Sequence, residues 1–194
     1  RNRAAKRAVD LIGATVAIIL FSPVMLLTAL VVAFTEEGSV IYRQERVGLH
    51  NQVFYMYKFR SMIMQDEEKE KAEWSTRNDP RITPVGKLIR RTSIDELPQL
   101  FNVLKGDMSI VGPRPERKYY IDKIVKKAPF YYLLHNVKPG ITSWGMVKYG
   151  YASDVDKMIE RLQYDILYYE NMSLVLDLTI LIYTIRTVFT GKGI

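Results

Sequence analysis

The chain has 194 residues, enough for one compact domain over residues 1–194, and its formal charge is +7. It contains no cysteine, which excludes a disulfide framework and a thiolate metal site, and its two histidines argue against a zinc site. The positive charge favours anionic lipid or a phosphorylated substrate. Nucleic acid is not an expected partner, because the sequence has no helix-turn-helix, zinc or RNP-like motif.

An uncharged apolar segment runs from Leu11 to Phe34 and is long enough, at about 1.5 Å per residue, to cross a bilayer core. Ser22-Pro23 lies near its middle, where the proline removes a backbone donor and the serine hydroxyl can bond the freed carbonyl. Basic residues flank the segment on both sides, so charge gives no asymmetry for a spanning topology. A kinked spanning helix and a re-entrant helix-break-helix both remain open from the residues alone.

Two short runs rich in β-branched and aromatic residues, Val40–Gln44 and Val53–Phe59, predict a β-hairpin with the loop Gly48–Gln52. Lys58 and Arg60, at the end of the second run, are separated by one residue and are expected on the same strand face. Such a pair is common on a solvated strand edge, and it also suits a grip on a phosphate.

Two helices are predicted between the hairpin and the centre of the chain. Gln65–Glu73 is charged and has helical character, whereas Thr83-Pro84 has the form of a helix start with threonine as the N-cap. The second of these helices carries Arg90 near its end.

Two later segments suggest contact with a membrane. Lys126–His135 mixes cations with aromatic residues, which is typical of an interfacial helix, although an ordinary surface helix explains it nearly as well. Ser173–Thr190 is mostly apolar but contains Asp177, and a carboxylate in such surroundings needs a partner. Arg7, at the mouth of the apolar segment, is the candidate partner.

The chemical centre is predicted around Ser93-Ile94-Asp95-Glu96, which has the form of a helix capping box. Capping alone would explain this tetrapeptide. A carboxylate at a helix N-terminus with Arg90 upstream is also kept ionised, which suits a nucleophile or a Mg²⁺ ligand. Nearby, Arg114 lies between two prolines that hold its backbone extended; this is either a simple turn or a fixed guanidinium for a phosphate.

The resemblance to a known family rests on residues 79–115, which read DPRITPVGKLIRRTSIDELPQLFNVLKGDMSIVGPRP. This stretch resembles the core of the bacterial sugar transferases, the monotopic phosphoglycosyl transferases. Further stretches match the same family in the same order: KRAVD, the central Ser22-Pro23, YRQERVG, YKFRSM, KPGIT and YDILYYENMSLVLDL. The resemblance covers essentially the whole chain, and the ordered set of motifs is highly specific.

The resemblance implies an α+β, mostly helical fold with a small β-hairpin, amphipathic interfacial helices and a re-entrant membrane helix-break-helix at residues 11–34. Residues 35–194 would form the catalytic part on the cytoplasmic face of the bacterial inner membrane. The basic residue at Arg7 would pair with Asp177, which agrees with the contact expected above.

The resemblance also implies a reaction. Asp95 would attack the β-phosphate of a UDP-sugar and release UMP, and undecaprenyl phosphate would then accept the sugar phosphate from the enzyme. Asp95 and Glu96 match the catalytic pair, with Mg²⁺ at both carboxylates. Arg90 and Arg114 match phosphate-binding positions, while Lys58 and Arg60 belong to the basic strand that lines the site. Expected partners are membrane lipid, downstream glycosyltransferases and a second copy in a homodimer.

One loop departs from the family pattern. Many members read GITGWAQVNGR, whereas residues 140–151 here read GITSWGMVKYGY, which places Tyr151 where the family has an arginine. Two alternatives to the covalent transferase also follow from the sequence. One is a non-catalytic membrane scaffold of a glycan assembly complex, and the other is an enzyme that forms a ternary complex and uses Asp95 only to bind metal.

Overall fold

The computed structural model describes residues 3–35, 38–63, 79–150 and 152–189, which form a mostly helical α+β fold with two small sheets. The helices are α1 (Arg3–Thr35), α2 (Pro84–Arg91), α3 (Gln99–Lys105), α4 (Lys118–Lys127), α5 (Trp144–Lys148), α6 (Val155–Asn171) and α7 (Leu174–Phe189). The strands are β1 (Ile41–Val47), β2 (Val53–Phe59), β3 (Ser109–Val111) and β4 (Gly140–Thr142). The predicted charged helix at Gln65–Glu73 lies outside the described residues.

The predicted hairpin is confirmed. β1 and β2 pair antiparallel from Ile41 opposite Phe59 to Val47 opposite Val53. The second strand has the predicted bounds, and the first extends three residues further than expected because the pairing continues to the loop. The other sheet is a short parallel pair of β3 and β4, which holds the backbone just before Arg114.

Helix α1 is long and apolar enough to cross a membrane: an 18-residue window has a mean hydropathy of 2.7, and only 17% of it is buried. The expected interruption at Ser22-Pro23 is instead a position inside one continuous helix, Arg3–Thr35. The Ser22 hydroxyl donates to the Ile19 carbonyl at 2.8 Å. That carbonyl is the acceptor that Pro23 leaves without a backbone donor, so the serine compensates the proline as predicted.

Both halves of α1 pack against the rest of the protein. Before the proline, Asp10 accepts hydrogen bonds from the Ser109 hydroxyl and from the Ile110 backbone amide. Gly13 permits this close approach, since a Cβ there would lie 2.8 Å from the Ile110 side chain. After the proline, Val32 is buried in a cluster with Phe59 of the hairpin. The helix therefore packs against the rest of the protein both before and after Pro23.

The predicted pair of Arg7 and Asp177 is wrong in this structure. Lys6 makes that ion pair, with its Nζ 2.6 Å from Asp177 Oδ2, whereas Arg7 donates to the backbone carbonyls of Val103 and Leu104. Neighbouring helical residues point about 100° apart, so Lys6 faces α7 while Arg7 faces the end of α3. Arg7 also places a cation at the C-terminus of α3, where positive charge stabilises the helix dipole.

Two other predicted helices can be compared with the structure. The Thr83-Pro84 start is confirmed, because the Thr83 side chain accepts from the Gly86 amide at the first turn of α2. The single helix over Lys126–His135 is wrong: α4 ends at Lys127, and a 3-10 helix, Pro129–Asn136, follows. Proline at position 129 has no backbone donor, which favours a break there.

Candidate active site

The acidic pair lies on a 3-10 turn, Ile94–Glu96, between α2 and α3. The backbone reverses at Ser93, whose φ of 56° lies in the left-handed region that residues with a Cβ seldom adopt. The expected capping box is therefore wrong: an N-cap needs extended backbone, and the Ser93 side chain makes no cap hydrogen bond. The turn leaves Asp95 only 5% exposed, beside a cavity.

The cavity has a volume of about 470 Å³, within the range of ligand-binding pockets. Among the described residues, its charged lining has eight cationic side chains and three carboxylates. The cations are Arg46, Lys58, Arg60, Arg81, Arg90, Arg114, Arg117 and Arg161, and the carboxylates are Asp95, Glu96 and Glu116. The structure thus brings together all six residues predicted to act in catalysis or phosphate binding. The excess of positive charge suits a phosphorylated ligand.

The two cations of the hairpin have different surroundings. Lys58 Nζ lies 2.7 Å from Glu96 Oε1, which connects β2 to the turn Ile94–Glu96. Arg60 follows the strand, is 4% exposed, and donates from its guanidinium to the Ser39 carbonyl. Both line the cavity, and Lys58 contacts Glu96 directly.

Arg90 and Arg114 reach the cavity from different elements. Arg90 is in the last turn of α2, which packs closely on the hairpin because Gly86 has no Cβ to collide with the Ser61 carbonyl. Arg114 follows β3, and the backbone around it is fixed by the bond from the Gly140 amide to the Pro113 carbonyl, 2.9 Å long. This hydrogen bond and the prolines before and after Arg114 restrict the backbone there, which supports the interpretation of Arg114 as a fixed cation.

The sequence does not mark Glu116, or its partner Arg161, as a member of the site. The Glu116 carboxylate forms ion pairs with Arg161 at 2.7 Å and with Arg46 at 3.3 Å. Arg161 is only 7% exposed. Glu116 directly follows the GPRP motif, which is the one local signal that could have marked it. Nothing local marks Arg161 in α6, because its burial depends on a contact between distant parts of the chain.

The two neighbouring carboxyls have opposite pKa shifts. Burial raises the pKa of Asp95 to about 6, against the opposing effect of the Lys58 charge. Burial also disfavours ionisation of Glu96, but Lys58 and Arg114 outweigh it and lower the pKa of Glu96 to about 2. The expectation of a readily ionised carboxylate therefore holds for Glu96 and is reversed for Asp95. A buried carboxyl that has lost its hydration is a more reactive base and nucleophile once it is ionised.

The site can also be tested for a metal ion. Among the described residues, no three side chains of His, Cys, Asp or Glu come together as a metal site. Mg²⁺ often takes only one or two carboxylates and completes its shell with substrate phosphates and water. Asp95 Oδ1 is buried with no hydrogen-bond partner from residues 3–35, 38–63, 79–150 or 152–189, and Glu96 is its neighbour, so the pair fits such an open site.

The loop that departs from the family pattern forms α5. The Ser143 side chain caps this helix. The Gly145 backbone amide donates a hydrogen bond to Asp165 of α6 at 2.9 Å. Lys148 stacks on two aromatic rings, with its Nζ 4.1 Å from the Tyr183 ring centre. The cavity wall receives Met146, Val147 and Gly150 from this loop. Tyr151 lies outside the described residues.

Comparison with known proteins identifies the family. Residues 1–191 match the model of the bacterial sugar transferase family. The chain is 48% identical to a UDP-N-acetylgalactosamine-undecaprenyl-phosphate N-acetylgalactosaminephosphotransferase of Aeromonas hydrophila, over 97% of this chain and 44% of that protein. It is 41% identical to a UDP-glucose:undecaprenyl-phosphate glucose-1-phosphate transferase of Escherichia coli K12, over 99% of this chain and 42% of that protein.

A shorter relative is similar along most of its length. An uncharacterized sugar transferase of Bacillus subtilis is 41% identical over 97% of this chain and 89% of that protein. The chain spans less than half the length of the Aeromonas and Escherichia relatives. By its match to the family model and to these relatives, the chain belongs to the bacterial sugar transferase family.

Proposed function

We propose that this chain transfers a sugar-1-phosphate from a UDP-sugar to undecaprenyl phosphate and releases UMP, as the first membrane step of polysaccharide or glycoconjugate assembly. One observation carries the proposal: Asp95, whose buried Oδ1 has no hydrogen-bond partner among the described residues, lines a cavity with many cations. The relatives named above are phosphotransferases whose names state a UDP-sugar and undecaprenyl phosphate. The family match and the site chemistry support the same reaction.

Asp95 is proposed as the nucleophile. Its carboxylate would attack the β-phosphorus of the UDP-sugar, and the bond from that phosphorus to the bridging oxygen would break, so that UMP leaves with the oxygen. A phosphate oxygen of undecaprenyl phosphate would then attack the same phosphorus and release Asp95. Each step moves negative charge between oxygens, so catalysis needs positioning and charge neutralisation more than proton transfer.

The cations around Asp95 have distinct proposed tasks. Lys58 keeps Glu96 ionised and holds it beside the nucleophile. Arg90 and Arg114 would bind the phosphate oxygens from two sides, and the buried Arg60 would add charge behind them. Asp95 and Glu96 would hold Mg²⁺, which would neutralise part of the diphosphate charge when bound.

The packing of α1 supports a re-entrant placement in the membrane. Contacts at Asp10 and at Val32 are made with the same body, on either side of Pro23. A helix that spans the bilayer with this body on one side would hold one of those ends on the far side of the membrane. We infer that both ends lie at the cytoplasmic face of the bacterial inner membrane, with the exposed apolar side of α1 in the lipid.

Other surfaces suit the headgroup region. In the 3-10 helix Pro129–Asn136, Phe130 and Tyr132 are 46% and 48% exposed beside the lysines that end α4. Exposed aromatic rings next to cations are typical of the membrane interface. Transfer of the lipid-linked product to downstream glycosyltransferases, and a homodimer, stay predictions.

The activity is tested with purified protein in nanodiscs, undecaprenyl phosphate, Mg²⁺ and a panel of UDP-sugars, with UMP release as the measurement. We expect acceptor-dependent UMP release with at least one sugar, which would eliminate a purely scaffolding role. Absence of release with every sugar, from folded protein, would reject the transferase. Labelled phosphosugar retained on the protein without acceptor would support the covalent route over a ternary complex.

Topology is tested with single cysteines, which is simple because the chain has none. Arg3→Cys is at the first residue of α1 and Ser39→Cys lies four residues after its end, and both positions are exposed. In right-side-out vesicles, a membrane-impermeant thiol reagent should label neither position until the membrane is opened. Labelling of one position from outside would restore the spanning helix.

A further inference from the structure

Part of the cavity wall is apolar, and we call it the α1–α7 groove. It comprises Ala17, Phe21, Leu97, Leu100, Ile141 and Val188. Ala17, Leu97 and Ile141 pack on the same hydrophobic cluster, to which Leu100 also belongs, so this part of the wall is continuous. Because Leu97 directly follows Glu96, the apolar wall begins at the acidic pair.

The hydroxyls of Thr184 and Thr187, in the same part of the cavity wall, are hydrogen-bonded within the protein. The Thr184 hydroxyl donates to the Ile180 carbonyl at 2.8 Å and lies 2.7 Å from the Thr142 hydroxyl. The Thr187 hydroxyl donates to the Tyr183 carbonyl at 2.9 Å. With these hydroxyls bonded inside the protein, the wall between β4 and α7 suits a hydrocarbon better than a polar ligand.

The groove reaches the outer apolar surface. Phe21 lines the cavity and is also 40% exposed, and its neighbours Ile19 and Leu20 on α1 are 69% and 67% exposed. On the other side, Ile182 and Ile185 of α7 are exposed as well. The cavity is therefore cationic around Asp95 and apolar where it meets the surface that α1 would present to lipid.

We propose that the α1–α7 groove binds the first isoprene units of the polyprenyl-phosphate acceptor, with the acceptor phosphate held by the cations near Asp95. This assignment rests on the proposed function. A sugar nucleotide is polar at both ends and would leave the apolar wall unused, whereas a phosphate joined to a hydrocarbon matches both parts of the cavity. A volume of about 470 Å³ holds a head group and the start of the chain, so the rest must leave beside Phe21 into the bilayer.

Photo-crosslinking in nanodiscs tests this without any transfer reaction. The probe is a short isoprenyl phosphate that carries a diazirine on its hydrocarbon, and the control is the matching alcohol, which lacks the phosphate. We expect the phosphate probe to label α1 near Ala17–Phe21 and α7 near Thr184–Val188, and undecaprenyl phosphate to compete with it. Equal labelling by the alcohol, labelling elsewhere, or equal competition by phosphatidylglycerol would overturn the assignment.

A kinetic comparison gives a second test. Val188→Trp should fill the groove and raise the KM for undecaprenyl phosphate about tenfold, with the KM for the UDP-sugar unchanged. The matched control is Val175→Trp, an exposed residue near the other end of the same helix and outside the cavity lining, which should change neither constant. An unchanged acceptor KM in folded Val188→Trp protein would contradict the proposal. Site-specific crosslinking in a chain without transferase activity would reject the proposed reaction and leave the groove standing.

Discussion

Asp10 and Asp95 are buried to nearly the same degree, at 4% and 5% exposed, but they differ in how far their carboxylate oxygens are hydrogen-bonded. Both oxygens of Asp10 accept hydrogen bonds, from the Ser109 hydroxyl and the Ile110 amide. Asp95 Oδ1 has no hydrogen-bond partner in the part of the chain that the structure describes. A buried polar group that is satisfied stabilises the fold, whereas an unsatisfied one costs stability and is available to a ligand. Burial alone therefore does not show that a carboxylate is available to a ligand; the missing partner does.

The sharpest test of this contrast is Asp95→Asn. It removes the proposed nucleophile with little change in shape, so UMP release should fall by about a thousandfold or more. The measurement is the initial rate with the sugar that the wild-type protein uses. Retention of full activity by folded protein would remove Asp95 from this role.

The same variant should be more stable than the wild type in EDTA. Because the pKa of Asp95 is raised to about 6 in the folded state, its ionisation destabilises the fold as pH rises through about 4 to 6. Asparagine has no charge to bury, so we expect a gain on the order of 2 kcal/mol above pH 6 that disappears near pH 4. Thermal unfolding in detergent at several pH values measures it. A loss of stability at pH 8 would mean that Asp95 is satisfied in solution.

Asp10→Ala should have the opposite effect. It leaves the Ser109 hydroxyl and the Ile110 amide without their acceptor under α1, which should cost about 2–3 kcal/mol of stability. Asp156→Ala is the control, since that exposed carboxylate pairs with the exposed Lys127 at the surface, and its loss should cost well under 1 kcal/mol. Equal losses in thermal unfolding would show that the bonds to Asp10 contribute little.

Lys58→Met should raise the pKa of both carboxyls of the acidic pair, Asp95 and Glu96. Lys58 is the main charge that lowers the pKa of both carboxyls, so its removal should move the acidic limb of the pH–rate profile up by about one unit. The control is Lys87→Met, an exposed lysine of α2 outside the cavity. An unshifted limb would indicate that another group sets the pH dependence.

The smallest expected effect concerns the anchor of α1. A double-mutant cycle of Lys6→Met with Asp177→Asn should give a coupling energy of about 1 kcal/mol, because the pair is half-buried. The parallel cycle with Arg7→Met should give nearly none, since Arg7 bonds the carbonyls that end α3. A larger coupling for Arg7 would restore the pairing expected from the sequence.

The sequence could predict features that depend on local patterns. Strand β2 follows from its β-branched and aromatic residues and the Thr83 cap from capping chemistry, and the Ser22 hydroxyl bond follows from the proline beside it. Features set by distant contacts could not be read in this way. The left-handed Ser93 overrides a good capping pattern, because packing of the turn decides its backbone. The choice between Lys6 and Arg7 depends on how α1 is rotated against α7. The assembly of the cavity residues was expected only through the family resemblance.

The packing of α1 from Arg7 to Val32 also has a consequence for the bilayer. A helix that packs against the same body near both ends cannot tilt or slide on its own to match the hydrocarbon thickness. If α1 lies in the lipid as proposed, the depth of Asp95 relative to the headgroups is set by α1, and the lipid must deform to accommodate a mismatch. The rate of transfer should then depend on acyl-chain length in reconstituted membranes.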